Sequence, residues 1–259
     1  MSAFDAKKAL PFMAIEYAVP HYSRSQIEAA GKALAGKFTE DQVEEAVAIF
    51  RIAHNWRNAH VFPMRRVRFE LGGLARRASA AANITAARVK RMKSIRKKLR
   101  ESPITLYQMQ DIGGCRAIVD SMDHLRAIVA RYNGGQSRHG IIRHWDYIDV
   151  PKRGGYRSHH VVLKFSGEDE EGEIYNRQRV EVQIRTKLQH VWATAVEAAG
   201  VVRAEDLKGG SGNTDWLRLF EIMGSEMALL ENTPTVQGVP DTERVCLIQR
   251  MKDETRYDT

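Results

Sequence analysis

At 259 residues with 43% hydrophobic positions, the chain is long enough for one elaborated domain or two small ones, and its composition is that of a globular protein. Two cysteines, Cys115 and Cys246, exclude a disulfide framework; no apolar run reaches the length of about eighteen residues that a membrane helix needs; and Asp5, Lys7, Lys8 and Pro11 interrupt any signal-peptide core, so a reducing, cytoplasmic setting is expected. A net charge of +8 predicts attraction to polyanions without choosing between a polyphosphate and an RNA.

Residues 1–83 read as a helical region. One helix is expected over residues 25–34, with Ser23 and Gln26 at its start, and a second over 41–52 after Thr39 and Glu40. The cluster His54, Trp56, Arg57, His60 and Pro63 is expected to end the second helix. A basic helix then resumes over 64–81, interrupted by Gly72 and Gly73. No histidine–carboxylate spacing here fits a metal site, so the region is assigned a structural or partner-facing role. Between positions 88 and 100 stand eight Arg and Lys residues and no acid. Val89, Met92, Ile95 and Leu99 fall near helical spacing, which predicts one basic helix docked by that stripe. Arg88, Lys90 and Lys98 then reach outward, either into solvent or towards an anion.

Asp111 and two glycines precede an apolar run ending at Asp120 that reads as a buried strand, and a helix is expected over 122–132 before the turn Asn133-Gly134-Gly135. Residues 144–165 read as strand, Gly-rich basic turn and strand. Tyr156 at the end of that turn is placed to stack on a base, with Lys152, Arg157 and His160 near enough to meet phosphate or ribose. The acidic stretch 167–172 reads as a solvated turn.

The most regular pattern is Val180-Glu-Val-Gln-Ile-Arg-Thr186, whose strict alternation is that of a strand with one buried face. Its other face presents Glu181, Gln183 and Arg185 in a row, a set suited to a metal ion, a hydroxyl and a phosphate, the plainer alternative being a solvated strand face. Asp111 and Glu181 together suit Mg²⁺, which favours a few carboxylates plus phosphate oxygens. A helix over 187–199, ended by Gly200, is expected to bury Leu188, Val191, Trp192, Ala195, Val196 and Ala199. Its other stripe holds His190, Thr194 and Glu197, with His190 near enough to the strand to complete the site. A last helix is expected over 215–230, followed by a polar, disordered tail over 233–259.

These residues resemble the synthetase domain of the RelA/SpoT proteins. Four blocks carry the resemblance in the family's order: Arg88-Val-Lys90 with Ser94 and Lys98; Asp111-Ile-Gly-Gly-Cys-Arg116; Tyr147 with Pro151-Lys152 and Gly155-Tyr-Arg-Ser-His-His160; and Glu181-Val-Gln-Ile-Arg-Thr186 leading into His190-Val-Trp-Ala193. The resemblance implies an α/β (α+β) fold with a nucleotidyltransferase-like, mixed or antiparallel sheet of about five strands flanked by helices. It divides the chain into a helical region 1–83, a synthetase domain 84–232 and a tail 233–259. It implies transfer of pyrophosphate from ATP to a 3′ hydroxyl. Arg88 and Arg116 would sandwich adenine, with Lys90, Lys98 and Arg185 at the phosphates. Asp111 and Glu181 would hold Mg²⁺, and Glu181 would also take the hydroxyl proton. Tyr156 would stack on the acceptor base, with Lys152, Gln183, His160 and His190 around the acceptor.

Two positions depart from the family pattern: His159 stands where leucine is usual, and Val196-Glu197-Ala198-Ala199 replaces a usual Glu-His pair. No hydrolase-type His-Asp motif is present and no room remains for C-terminal regulatory domains, so a small, single-function synthetase is expected. The wording around His190 and around Asn55, Trp56, Arg57 and His60 also resembles a branch of toxic small synthetases. That resemblance makes the tRNA 3′ end an acceptor alongside GDP or GTP, the basic stretch 64–100 a tRNA contact, and an antitoxin or inhibitor protein a candidate partner. A catalytically silent RNA-binding or regulatory relative is the reading from another class.

Overall fold

The computed structural model describes residues 16–78 and 84–255; the expectations for residues 5–11, for the helix end at 79–81 and for residues 256–259 lie outside the described residues. In chain order the elements are α1 (Arg24–Ala35), α2 (Val43–Ala59), α3 (Val61–Ala78), β1 (Ile84–Val89), α4 (Met92–Glu101), β2 (Gly113–Val119), α5 (Met122–Asn133), β3 (Gly140–Asp146), β4 (His159–Lys164), α6 (Glu170–Glu173), β5 (Arg179–Thr186), α7 (Lys187–Arg203), α8 (Thr214–Leu230) and α9 (Asp241–Thr255). The strands form one mixed sheet in the order β1-β2-β5-β4-β3, with β2 and β5 parallel and the other neighbours antiparallel. No helix among the described residues is long and apolar enough to cross a membrane.

The register assigns the two faces of the sheet. Ala87, Cys115, Val182 and Val161 lie opposite one another on one face, which packs under α3 and α5 into the main core. Arg88, Gly114 and Glu181 lie in line on the other, with Arg116, Gln183 and His160 in the next row. The expected alternation of β5 is therefore present: Val180, Val182 and Ile184 are fully buried in the core. Two smaller cores flank the sheet. In one, α1, α2 and α4 pack around Ile27, Leu34, Trp56 and Ile95; in the other, α7 and α8 pack around Tyr156, Trp192 and Phe220.

The helix start at Ser23 forms as expected, with a capping box closed by Gln26; Thr39 makes the same box with Gln42, but it opens a one-turn 3-10 helix, Glu40–Gln42, that leads into α2. Several boundaries differ. α2 continues past His54 because Ala53, Trp56 and Ala59 extend its buried stripe. Pro63 sits in the first turn of α3, where its missing N–H interrupts no helical bond. Gly72 and Gly73 do not break α3, which Leu71, Leu74 and Ala75 hold against the sheet.

The stretch 88–100 is not a single helix: Arg88 and Val89 end edge strand β1 and only Met92, Ile95 and Leu99 form the stripe of α4. α7 runs through Gly200 to Arg203 and ends at Ala204 in the left-handed region (φ 55°). Gly200 is there for closeness, since a Cβ on it would lie 2.8 Å from the Glu205 carbonyl oxygen. Val191 faces solvent, and Gln189, Ala193 and Gly200 join Trp192 and Val196 on the buried side.

The tail is ordered as far as described. Val236 is buried, and α9 is tied to α8 by ion pairs of Arg218 with Glu243 and Arg244 with Glu226.

Candidate active site

Sheet register and two loops bring the predicted residues together. Asp111 stands just before β2, where its Oδ2 accepts from Lys90 Nζ at 3.0 Å and Lys98 Nζ at 2.8 Å. Lys90 follows β1 and Lys98 lies in the last turn of α4, so the break between β1 and α4 is what aims both ammonium groups at one carboxylate. The other oxygen, Oδ1, is buried with no hydrogen-bond partner.

On β5, Glu181 is the focus of a directed hydrogen-bond circuit. Its Oε1 accepts from His160 Nδ1 at 3.0 Å and its Oε2 from Gln183 Nε2 at 2.7 Å. With Nδ1 of His160 donating, Nε2 accepts from the Tyr156 hydroxyl at 2.8 Å. Arg185 Nη2 closes the circuit by donating to the Tyr156 oxygen at 2.5 Å and to Gln183 Oε1 at 2.7 Å. Every donor points towards the carboxylate. Burial alone would raise the Glu181 pKa, but the hydrogen bond and charge of His160, the Gln183 amide and the nearby Lys98 outweigh it and hold it at about 2. Burial lowers the pKa of His160 against the pull of Glu181, so near neutral pH the pair is a carboxylate and a neutral imidazole. In acid the imidazole charges first, which keeps Glu181 ionised further down.

Cations crowd this face. Burial lowers the pKa of Arg116, and Arg185 and Arg88 lower it further. His190 is lowered by burial and then by Arg116 and Arg185, which places it beside both. Arg116 Nε, Arg185 Nε and His190 Nδ1 are buried without partners. Each buried polar atom left unpaired costs about 1–3 kcal/mol, so this set suits an anion with several acceptor oxygens. Gly114, between Arg88 and Glu181 in the register, leaves the floor bare. Packing does not demand that glycine, since a Cβ there would meet only ordinary contacts at 3.8 Å and 4.0 Å, so the space suits a ligand.

Lys152 Nζ lies 4.2 Å from the ring centroid of half-buried Tyr147 and 5.3 Å from that of Tyr156. Tyr156 is 8% exposed, with its ring packed among Tyr147, His160 and Trp192.

Two expectations change, and one departure from the family pattern is placed. Arg157 meets no open space; it is 3% exposed and donates to the Gly224 carbonyl at 3.0 Å, to Thr233 Oγ1 at 3.0 Å and to the Pro234 carbonyl. Burial pushes its pKa down to about 10, and its task is to fasten the segment after α8. His159 pairs in register with Ile184, on the core face, where its Nε2 lies 3.2 Å from His144 Nδ1; this departure from the family pattern points away from Glu181. Glu197, expected only on the outer stripe of α7, lies beside the site, since it pairs with Lys208 and feels the charges of Arg116 and Arg88. Lys208 itself, 5.9 Å from the Tyr156 ring centroid, was not anticipated: it lies in a one-turn helix, Leu207–Gly209, with no motif around it.

Among the described residues no three His, Cys, Asp or Glu side chains cluster as a metal site. The fit to a hard divalent cation rests on the orphaned Asp111 Oδ1 and the ionised Glu181, which would leave most coordination positions to phosphate oxygens and water.

Residues 87–201 match the family model described as "Region found in RelA / SpoT proteins", a span that contains every residue of the circuit. GTP pyrophosphokinase YjbM of Bacillus subtilis (strain 168) is 36% identical over 110 residues, which is 41% of this chain and 51% of that protein; the chain spans about half the length of the curated relative it matches. A GTP pyrophosphokinase family protein from Streptococcus pneumoniae has the same fold with a TM-score of 0.56 at 25% identity, over 67% of this chain and 86% of that one. The small alarmone synthetase 1 of Bacillus subtilis bound to its product pppGpp superposes with a TM-score of 0.57 at 24% identity, over 69% of this chain and 94% of that one.

Proposed function

The chain carries a RelA/SpoT region over residues 87–201, and we propose that it transfers the β,γ-pyrophosphate of ATP to the 3′ hydroxyl of GDP or GTP. The observation that carries the reading is the donor circuit converging on ionised Glu181 beside the Lys90–Asp111–Lys98 cluster. In the reaction the 3′ oxygen bonds to the β-phosphorus, the bond from that phosphorus to the bridging oxygen breaks, and AMP leaves with the electron pair. Little covalent work falls to the protein in such a transfer; positioning and charge neutralisation dominate.

Each residue has a task in that scheme. Arg88 and Arg116 flank the bare floor at Gly114 and would hold adenine between guanidinium planes. Lys90, Lys98 and Arg185 would meet the phosphates, the two lysines exchanging Asp111 for phosphate oxygens. Mg²⁺ held by Asp111 and Glu181 would supply further neutralisation of the phosphate charge. Glu181 would accept a hydrogen bond from the 3′ hydroxyl. A carboxylate held near 2 takes a proton only late, as the new P–O bond forms, so its first role is orientation. Lys152, Gln183, His160 and His190 would surround the acceptor. Tyr156 would hold His160 through its hydroxyl, and its ring would reach the acceptor base by turning out of its packed position.

A guanosine nucleotide is preferred over tRNA because the basic stretch 64–100 is divided. The arginines of α3 ride on the helix that covers the core face, whereas Lys90 and Lys98 serve Asp111. The test is transfer of label from γ-labelled ATP with Mg²⁺ to GDP, GTP, ATP and deacylated tRNA in parallel, with Glu181→Gln as control. Label on GDP or GTP that the control abolishes is expected. Label on tRNA alone would replace the acceptor, and no transfer to any would favour a silent binding protein.

A further inference from the structure

Where β5 begins, at one end of the sheet, lies a cavity of about 230 Å³ that the proposed reaction does not use. Trp56 of α2 and Tyr107 of the loop before β2 wall it, their rings stacked at 5.3 Å and 19°. The opposite wall is Lys164 at the end of β4 with Arg177, Gln178 and Arg179 entering β5. No acidic residue lines it, and among the described residues no carboxylate pairs with Lys164, Arg177 or Arg179; Arg179 donates only to the Gln108 carbonyl, at 2.7 Å. Three cations with no counter-ion repel one another unless an anion joins them.

A second observation points the same way. Gln178 is 4% exposed, yet neither its Oε1 nor its Nε2 has a hydrogen-bond partner, and Trp56 Nε1 is equally buried and unpaired. At roughly 1–3 kcal/mol for each such group, a fold does not gather three around one cavity without a polar occupant. The volume decides its size. Pockets that enclose a whole drug-sized ligand run to about 300–1,000 Å³. This one holds less: a short phosphate chain, with any attached nucleoside left outside against the Tyr107 rim.

We infer that this cavity is a second phosphoryl-anion site, which takes inorganic pyrophosphate or the phosphate chain of a nucleotide between Lys164, Arg177 and Arg179, with the Gln178 amide and the Trp56 N–H as neutral partners. None of its lining residues belongs to the synthetase circuit, and the inference does not rest on the proposed reaction. Arg179 is two residues from Glu181 on the same strand, so an anion held here pulls on the segment that carries the candidate base.

The test is calorimetric titration of the full chain with pyrophosphate in the absence of ATP. Two binding events are expected, one at the synthetase cations and one here. Lys90→Gln/Lys98→Gln should remove or weaken the first and leave the second. Lys164→Gln/Arg177→Gly should weaken the second at least about tenfold, since each charge-assisted hydrogen bond is worth roughly 1.5–3 kcal/mol. Both positions are exposed, and glycine suits the left-handed backbone of Arg177 (φ 74°), so the fold should persist. A parallel titration with GDP separates the sources: affinity equal to that for pyrophosphate marks a free-anion site, and tighter binding marks a nucleotide site. The inference falls if Lys164→Gln/Arg177→Gly binds as the parent does, if Lys90→Gln/Lys98→Gln abolishes all binding, or if only single-stranded RNA and neither small ligand binds here.

Discussion

Replacing Glu181 by glutamine keeps the side chain's shape while removing its charge and one acceptor, and the surrounding circuit amplifies the change. If the new amide oxygen takes the His160 N–H, its NH₂ faces the NH₂ of Gln183, which now stands 2.7 Å from an acceptor. Turning the Gln183 amide over relieves that conflict and creates another, because its NH₂ then meets Arg185 Nη2 in place of the oxygen 2.7 Å away. One hydrogen bond is therefore lost and one buried donor left unpaired wherever the fault settles, a cost of about 1–3 kcal/mol in stability. Loss of a general base or orienting carboxylate lowers turnover by about 10²–10⁴, or roughly 3–5 kcal/mol of barrier.

The pH dependence separates these effects. A carboxylate held at about 2 against an ordinary 4.5 stabilises the fold above 4.5, and that contribution is lost as pH falls towards 2; at 1.36 kcal/mol per pKa unit it is at most about 3 kcal/mol. The variant should therefore show a flatter denaturant-midpoint profile between pH 4.5 and 2 than the parent, together with the loss of label transfer. Turnover within a few-fold of the parent, or an unchanged acid limb, would refute the circuit as the organiser of the site.

Further outcomes follow from the same geometry. Tyr156→Phe keeps the ring and removes the hydroxyl between Arg185 and His160, so turnover should fall at least about tenfold, with roughly 1 kcal/mol of stability; full activity in steady-state kinetics would leave the hydroxyl no role. Asp111→Asn removes the charge that Lys90 and Lys98 share, and equilibrium binding should show the Mg²⁺ dependence of ATP binding lost with the fold intact; an unchanged Mg²⁺ dependence would remove Asp111 from the metal set. Arg157→Met leaves the Pro234 carbonyl unpaired and unties it from the Gly224 carbonyl of α8, so chemical denaturation should show about 1–3 kcal/mol of destabilisation while the KM for the acceptor stays put; a raised KM with normal stability would return Arg157 to the phosphate contact first expected of it.

What the sequence made legible is what depends on neighbours along the chain. The two-residue period of β5 and the caps at Ser23 and Thr39 are local physics, and all appear where expected or within a residue. β1 was hidden because its six residues, Ile84–Val89, run into a stretch whose charge and periodicity read as helix; only pairing with β2 makes them a strand. The same misreading concealed why Lys90 and Lys98 serve one carboxylate, since a continuous helix would place them eight positions, about 12 Å, apart along its axis. Arg157 looked like a phosphate ligand because its anchors lie 67 to 77 residues further on, beyond any local pattern.

The cavity at the start of β5 is the extreme case. It is assembled from α2, the loop before β2, the end of β4 and the entry to β5, and no two of its contributing segments form a motif. A site read from sequence blocks is one whose residues share strands or a turn, as Glu181, Gln183 and Arg185 do. A site made by topology alone appears only when the buried polar atoms are counted: the unpaired amide of Gln178 carries more information about what binds there than any spacing in the chain.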